Sequence, residues 1–313
     1  MSVLIFQPIY QKRVWGGRKL ETIYQRQLPE ITTPYGESWE ISDRPEAQSI
    51  VTNGPLKGKS LSALWSTQRK EIFGDYPSDN FPLLIKILDA QSDLSIQVHP
   101  PQHLAAKLNG EAKTEMWYIA HAEPGAQIYV GIKNGTTSEA FSAALNNGDP
   151  DKLVHAIKPK AGDSIHIPSG RLHAIGAGLV IYEIQQNSDT TFRVFDWNRL
   201  GLDGVPRELH IEESLLCIDF EDFEPTMDTP NGNTLAECPY YKVDRFQLPE
   251  GQSINNPEDD KFSILTVVEG CLTDSYGNLH TAGSFLLNPA GAKGIVASAD
   301  SLILQTTLPQ NSN

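Results

Sequence analysis

Leu94-Ser95-Ile96-Gln97-Val98-His99-Pro100 alternates apolar and polar side chains with a period of two. That is the pattern of a strand with one dry face and one polar face. Leu94, Ile96 and Val98 share the apolar side, so Gln97 and His99 become neighbours on the other. Imidazole nitrogen and amide oxygen can both bind a metal, yet two donors make no site, and a half-exposed strand with a surface histidine explains this stretch as well. The downstream sequence adds the missing donors. Glu115 opens a second β-rich run, Glu115-Met116-Trp117-Tyr118-Ile119. From Gly162 the chain then reads as a strand, a tight turn at Pro168-Ser169-Gly170, and His173 entering another strand. Together Gln97, His99, Glu115 and His173 offer two imidazoles, a carboxylate and an amide. Such a set suits a borderline divalent metal with room for water or a substrate oxygen. Ligand histidines must be neutral, so metal occupancy and activity are expected to fall together on acidification.

Spacing carries the reading further. In 162–173 a glycine is followed by five residues, Pro-x-Gly, two residues and His. This resembles the second sequence motif of the cupins, and 97–115 resembles the first, with Gln97 in place of the usual first histidine. Within the cupins, the run Ser95–Pro100, the pair Lys113-x-Glu115 and the run Tyr182–Arg193 resemble the type I mannose-6-phosphate isomerase family, in its short bacterial form. The likeness covers roughly residues 1–220 with strong motifs and 221–313 more weakly. It implies a mainly β fold of two cupin (jelly-roll β-barrel) domains with a small helical insert. It implies one zinc ion per chain on Gln97, His99, Glu115 and His173. The implied reaction interconverts mannose 6-phosphate and fructose 6-phosphate by 1,2 proton transfer through an enediol(ate), with that small sugar phosphate as partner. Ser95, Lys86 and Arg193 are the implied substrate contacts, and Arg193, Glu183, Asp189 and Lys113 the implied catalytic groups.

Taken alone, several of these residues keep two readings. Lys86 sits inside the apolar run Phe81–Leu88 and either snorkels to an edge or points into the cavity of 95–99. Arg193 lies in Thr191-Phe192-Arg193-Val194-Phe195. It either pairs with Asp189 or Glu183 or receives an anion, because burying a guanidinium unpaired is costly. Glu183, Asp189, Lys113 and metal-proximal water all stay open as proton carrier. An iron cupin dioxygenase and a non-catalytic sugar-binding cupin are the alternative classes. Gln97 and the cations Lys86, Lys113 and Arg193 count against the first, and the intact ligand set against the second.

The 313 residues suffice for one large or two modest cores. A composition of 39% hydrophobic and 20% charged residues fits a soluble globular chain. A net charge of −14 argues against a nucleic-acid surface and requires local cations wherever an anionic substrate binds. No signal peptide or membrane span is legible. Cys217, Cys238 and Cys271 are scattered and odd in number, which fits structural thiols in a reducing, cytoplasmic setting. The expected layout is a metal-binding domain over 1–220 with its insert near 134–157, an acidic linker over 221–235, and a second cupin-like domain over 236–313. In that last part Gly283 to Gly291 repeats the Gly, five residues, Pro-x-Gly spacing, with Gly294 where His173 would stand. Helices are expected over 60–73, with Ser60 as cap, over 101–110, from Thr136, over 151–155 and near 211–216. Gly176-Ala177-Gly178 reads as a hairpin turn, and oligomeric state is not legible.

Overall fold

In the computed structural model, which describes residues 2–309, the chain is mainly β. Its strands begin with β1 (Ile9–Gly17), β2 (Tyr35–Ile41), β3 (Asp43–Arg44), β4 (Ala47–Gln48), β5 (Leu83–Ala90), β6 (Ile96–Val98) and β7 (Glu115–Ala122). β8 (Ile128–Ile132), β9 (Val154–Ile157), β10 (Ser164–Ile167), β11 (His173–Ile175), β12 (Leu179–Gln186) and β13 (Phe192–Phe195) follow. Two compact units divide the chain: 10–38 with 86–228, and the described parts of 1–9, 39–85 and 229–313.

The unit of 10–38 and 86–228 holds two sheets, ordered β1-β2-β5-β12-β7-β10 and β13-β6-β11-β8-β9. One apolar cluster takes Trp117 and Ile119 from β7, Ile165 and Ile167 from β10, and Ile128 and Val130 from β8. Members from both sheets share that core, as in face-to-face sheet packing. The second sheet has another apolar face, where Ile96, Val98 and Val194 meet Phe141 and Cys217. Phe141 comes from the helix Ser138–Asn147, capped by Thr137, and Cys217 from the helix Ile211–Cys217. This explains the alternation of β6: Ile96 and Val98 face the covering helices, which leaves Gln97 to turn inward.

The second unit pairs a sheet of five strands with a sheet of four. The first contains β14 (Thr234–Glu237), β15 (Lys242–Leu248), β17 (Ser263–Glu269), β20 (Phe285–Asn288) and β22 (Ser301–Thr307). The other contains β16 (Ser253–Ile254), β18 (Cys271–Thr273), β19 (Leu279–Thr281) and β21 (Ile295–Ala297). Trp65 packs edge to face with Phe73 and Phe81, and Phe73 with Phe262, while Phe81 and Phe262 are tilted. The internal echo extends to strand register. Ser263 lies opposite Asn288 as Glu115 lies opposite Ile167, and Leu265 opposite Gln305 as Trp117 lies opposite Glu183. Where one unit has two carboxylates, the other has Ser263 and Gln305, joined by a 3.0 Å hydrogen bond.

Three local expectations change. The helix over 60–73 is two short helices, Leu61–Thr67 and Arg69–Ile72, although Ser60 does cap the first by accepting from the Ala63 amide. Residues 151–155 form the end of a 3-10 turn, Pro150–Leu153, and then enter β9, because Val154 is drawn into the apolar cover of the second sheet. Gly176-Ala177-Gly178 is not a hairpin: β11 pairs with β6 and β8, whereas β12 pairs with β7, so the turn carries the chain between sheets.

Candidate metal and substrate site

Register places the inward polar groups. In the second sheet Gln97 lies between His173 of β11 and Arg193 of β13. In the first sheet Glu115 and Trp117 lie two apart on β7, so they share a face, and Glu183 of β12 lies opposite Trp117. The turn Pro168-Ser169-Gly170 fixes the remaining approach. The Gly170 amide donates to the His99 carbonyl at 3.0 Å, and Ser169 Oγ donates to the Lys113 carbonyl at 3.0 Å. Gly170 adopts φ +92°, open to glycine and strained for other residues, which accounts for the Pro-x-Gly spacing.

His99, Glu115 and His173 bring one donor atom each to within 4.8 Å of one another, all three buried. Among the described residues this is the group of histidines, cysteines and carboxylates placed to hold a metal. His99 Nδ1 is 2.9 Å from the Thr190 carbonyl and His173 Nδ1 2.9 Å from the Arg171 carbonyl. A carbonyl only accepts, so both protons sit on Nδ1 and both Nε2 lone pairs face inward. Each Nε2 stands 3.6 Å from one oxygen of Glu115. His99 Nε2 has no hydrogen-bond partner, and Gln97 Nε2 lies 3.2 Å from His173 Nε2.

Charge is dense around this group. Lys113 Nζ lies 2.8 Å from Glu115 Oε2 and 3.8 Å from Glu183 Oε1, and Lys86 Nζ lies 3.1 Å from Glu183 Oε1. Lys86 therefore points inward rather than snorkelling. Burial pushes the Glu115 carboxyl up, but Lys113 and His99 override it and hold the group well below its ordinary value. Glu183 moves the other way, raised by burial and by Glu115. Burial and Lys113 push His99 down to about 3, and burial lowers His173 too. His99 thus stays neutral in mild acid, and His173 is shifted in the same direction.

Above this group opens a cleft of about 540 Å³ lined by Lys86, Ser95, Gln97, Lys113, Glu183, Asp189 and Arg193. Ser95 Oγ lies 3.4 Å from Gln97 Oε1. Asp189 is exposed at the cleft and is not ion-paired with Arg193. Arg193 Nη1 donates to the Glu208 carbonyl at 2.7 Å, while its buried Nε has no partner. Burial, then Arg207, lowers its pKa. Neither structural pairing considered for Arg193 exists.

Sequence reasoning missed three further basic side chains in the lining, Lys12, Arg13 and Arg207. Arg13 forks onto Glu37 across β1 and β2, with Nε to Oε1 at 2.8 Å. Arg207 Nε donates to Asp196 Oδ2 at 2.7 Å, and Arg199 joins the same carboxylate. The available signal was a Lys-Arg doublet before Trp15, and Asp196 followed by two arginines within the next eleven positions. With Lys86, Lys113 and Arg193, six basic residues line the cleft against the acids Glu37, Glu183, Asp189 and Asp203. In a chain of charge −14 that local reversal of sign is what an anionic substrate requires.

Residues 3–116 match the model of the phosphomannose isomerase type I catalytic domain. The chain is 38% identical over 304 residues to mannose-6-phosphate isomerase ManA of Bacillus subtilis, covering 92% of this chain and 93% of that one. A crystal structure of the mannose 6-phosphate isomerase from Bacillus subtilis superposes with a TM-score of 0.88 at 31% identity, covering 98% of this chain and 100% of the other. A mannose 6-phosphate isomerase solved with zinc and yttrium bound gives a TM-score of 0.75 at 17% identity over 99% of this chain and 100% of its own, a likeness of fold alone. Among the described residues no helix is long and apolar enough to cross a membrane.

Proposed function

The chain belongs to the type I mannose-6-phosphate isomerase family and is an enzyme of that activity, and from this premise we propose a zinc-dependent proton transfer in the cleft of the 10–38 and 86–228 unit. The observation that carries the reading is the convergence of two imidazole lone pairs, fixed by backbone carbonyls, on the carboxylate of Glu115. Without a cation, His99 Nε2 is a buried acceptor with no donor, a costly state that a bound metal relieves. The residues fit the metal: two neutral imidazoles, a carboxylate, and Gln97 as a fourth donor once its amide is turned so that Oε1 faces His173. We therefore assign one zinc ion per chain to Gln97, His99, Glu115 and His173.

When bound, zinc supplies a Lewis acid that polarises a substrate carbonyl and favours an enediol(ate). The other work falls to side chains. Glu183 is buried with a raised pKa, which suits a carboxylate that takes the proton from C2 of open-chain mannose 6-phosphate and returns it to C1. Lys113 is held protonated by Glu115 and Glu183, so it serves as a charge partner rather than the base. Lys86 orients Glu183 through its 3.1 Å contact. Arg193 offers its unpartnered Nε to the anionic substrate, with Ser95 alongside in the lining, and exposed Asp189 acts at the mouth. The two-sheet build of each unit and the repeated Gly, five residues, Pro-x-Gly spacing support a pair of cupin jelly rolls, the second without ligands.

Metal analysis with turnover assays on a panel of hexose 6-phosphates tests this reading. Wild type should carry about one zinc per chain, and His99→Ala and His173→Ala should lose metal and activity together. Full metal retention in both variants, or a second tightly held equivalent, overturns the assignment.

A further inference from the structure

Trp117 is fully buried, which a core tryptophan on β7 would be for packing alone. Its indole N–H, however, does not point into an apolar wall. It lies 3.0 Å from Glu115 Oε1 and 3.2 Å from Glu183 Oε2, so a single donor is shared by two carboxylates. The register explains how. Trp117 follows Glu115 by two on the same strand face and stands directly opposite Glu183, so its ring closes the corner between them. The ring edge also meets the His173 imidazole, with centroids 5.5 Å apart at 77°. Lys113 reaches both carboxylates from another side, at 2.8 and 3.8 Å. A buried Trp N–H usually finds one acceptor. Here it joins the carboxylate assigned to the metal with the carboxylate assigned to proton transfer, and it presses on a third assigned group.

We propose that Trp117 is a positioning residue for the isomerase reaction, its indole N–H holding Glu115 and Glu183 in one fixed relation so that metal ligand and proton carrier face the same substrate carbons. The inference rests on the metal and proton-transfer roles proposed above. The donor differs from a lysine in having no freedom of its own. Lys113 can follow either carboxylate through four rotatable bonds, whereas the indole is fully buried in the apolar cluster and packed against His173. Partners of metal-binding groups set ligand orientation, and their loss commonly costs about 10- to 100-fold in metal affinity or activity. The second unit has Leu265 at the corresponding register position, where Ser263 and Gln305 bond each other directly and there is no pair of carboxylates to hold.

The test separates the donor from the ring. Trp117→Phe removes the N–H and leaves an aromatic edge against His173. Replacing Trp117 with 3-benzothienylalanine, which has sulfur in place of N–H, keeps the shape and covers the case in which phenylalanine prevents folding. Trp39→Phe, a buried tryptophan outside the cleft lining, controls for lost core volume. The readouts are zinc affinity of the metal-free protein by chelator competition, and kcat and KM at saturating zinc. The expected result is a loss of about tenfold or more in zinc affinity and in kcat, with KM within about threefold, in both position-117 variants and not in Trp39→Phe. Zinc affinity and kcat within about twofold of wild type in the sulfur isostere overturn the proposal. If wild type itself binds no zinc, or His173→Ala retains it, the metal assignment has failed instead, and the positioning role falls with it.

Discussion

Arg193 shows how far single residues can be read. The apolar neighbours Phe192, Val194 and Phe195 mark it as a charge drawn into a strand, and a partner carboxylate was the plain alternative to a substrate role. The fold decides between them by register. Arg193 pairs with Gln97 across β6 and β13, which turns its guanidinium to the cleft, while Glu183 is engaged with Lys86 and Asp189 stands exposed. A guanidinium with a buried, unpartnered Nε can make charge-assisted bonds that a lysine cannot copy. Arg193→Ala is therefore expected to lower kcat/KM by about ten- to a hundredfold, since a charged hydrogen bond is worth roughly 1.5–3 kcal/mol. Arg193→Lys should recover part of this. The melting temperature should fall only by what the hydrogen bond to the Glu208 carbonyl contributes, because no ion pair is lost. Near-normal kcat/KM in the folded, metal-loaded alanine variant would remove Arg193 from the substrate's surroundings.

At the scale of elements, period-two alternation and the Pro-x-Gly turn were enough to put Gln97, Glu115 and His173 on strands, with His99 just past the end of β6. Sheet order was not legible. Nothing local in Gly176-Ala177-Gly178 says that β11 and β12 join different sheets, because that depends on which strands each meets later. The same holds for β1 and β2. Trp15-Gly16-Gly17 and Gly36-Glu37 are the place where two strands approach more closely than any side chain permits. A Cβ on Gly16 would lie 2.3 Å from the Gly36 nitrogen, and one on Gly36 would lie 2.5 Å from the Trp15 ring. That contact sets Arg13 against Glu37 at the cleft wall. Gly16→Ala must push backbone against backbone, so a destabilisation of about 1–3 kcal/mol is expected. A domain of this size should then melt roughly 2–4 °C lower for each kcal/mol, measurable by calorimetry. Activity should fall with it as Arg13 leaves the lining, and an unchanged melting temperature would show that the close approach carries no constraint.

Over the whole molecule, net charge and the burial of titratable groups pull in opposite directions. The chain carries −14, yet its cleft is basic and burial disfavours charge on its two buried imidazoles. This has a consequence for stability in acid. His99 titrates near 6.5 when the chain is unfolded and at about 3 when folded, because burial and then Lys113 disfavour its charge. Above pH 6.5 neither state binds the proton, and His99 contributes nothing to pH dependence. As pH falls through 6.5 the unfolded chain takes up a proton that the folded one refuses, so stability is lost, and the loss continues until the folded imidazole also titrates. Each such histidine contributes a limiting slope of about 1.4 kcal/mol per pH unit. Glu183 has the opposite sign, since its raised pKa lets the folded state bind a proton first. The net curve of the wild type mixes these terms, and a comparison isolates one. Metal-free wild type and metal-free His99→Gln, unfolded by urea between pH 6.5 and 5, share Glu183 and His173 and differ in this imidazole. Wild type should lose stability faster on acidification, by up to about 1.4 kcal/mol per pH unit. Parallel curves would mean that folded His99 takes up its proton over the same pH range as the unfolded chain. Its Nδ1 bond to Thr190 would then leave a second proton on Nε2, where the metal should bind.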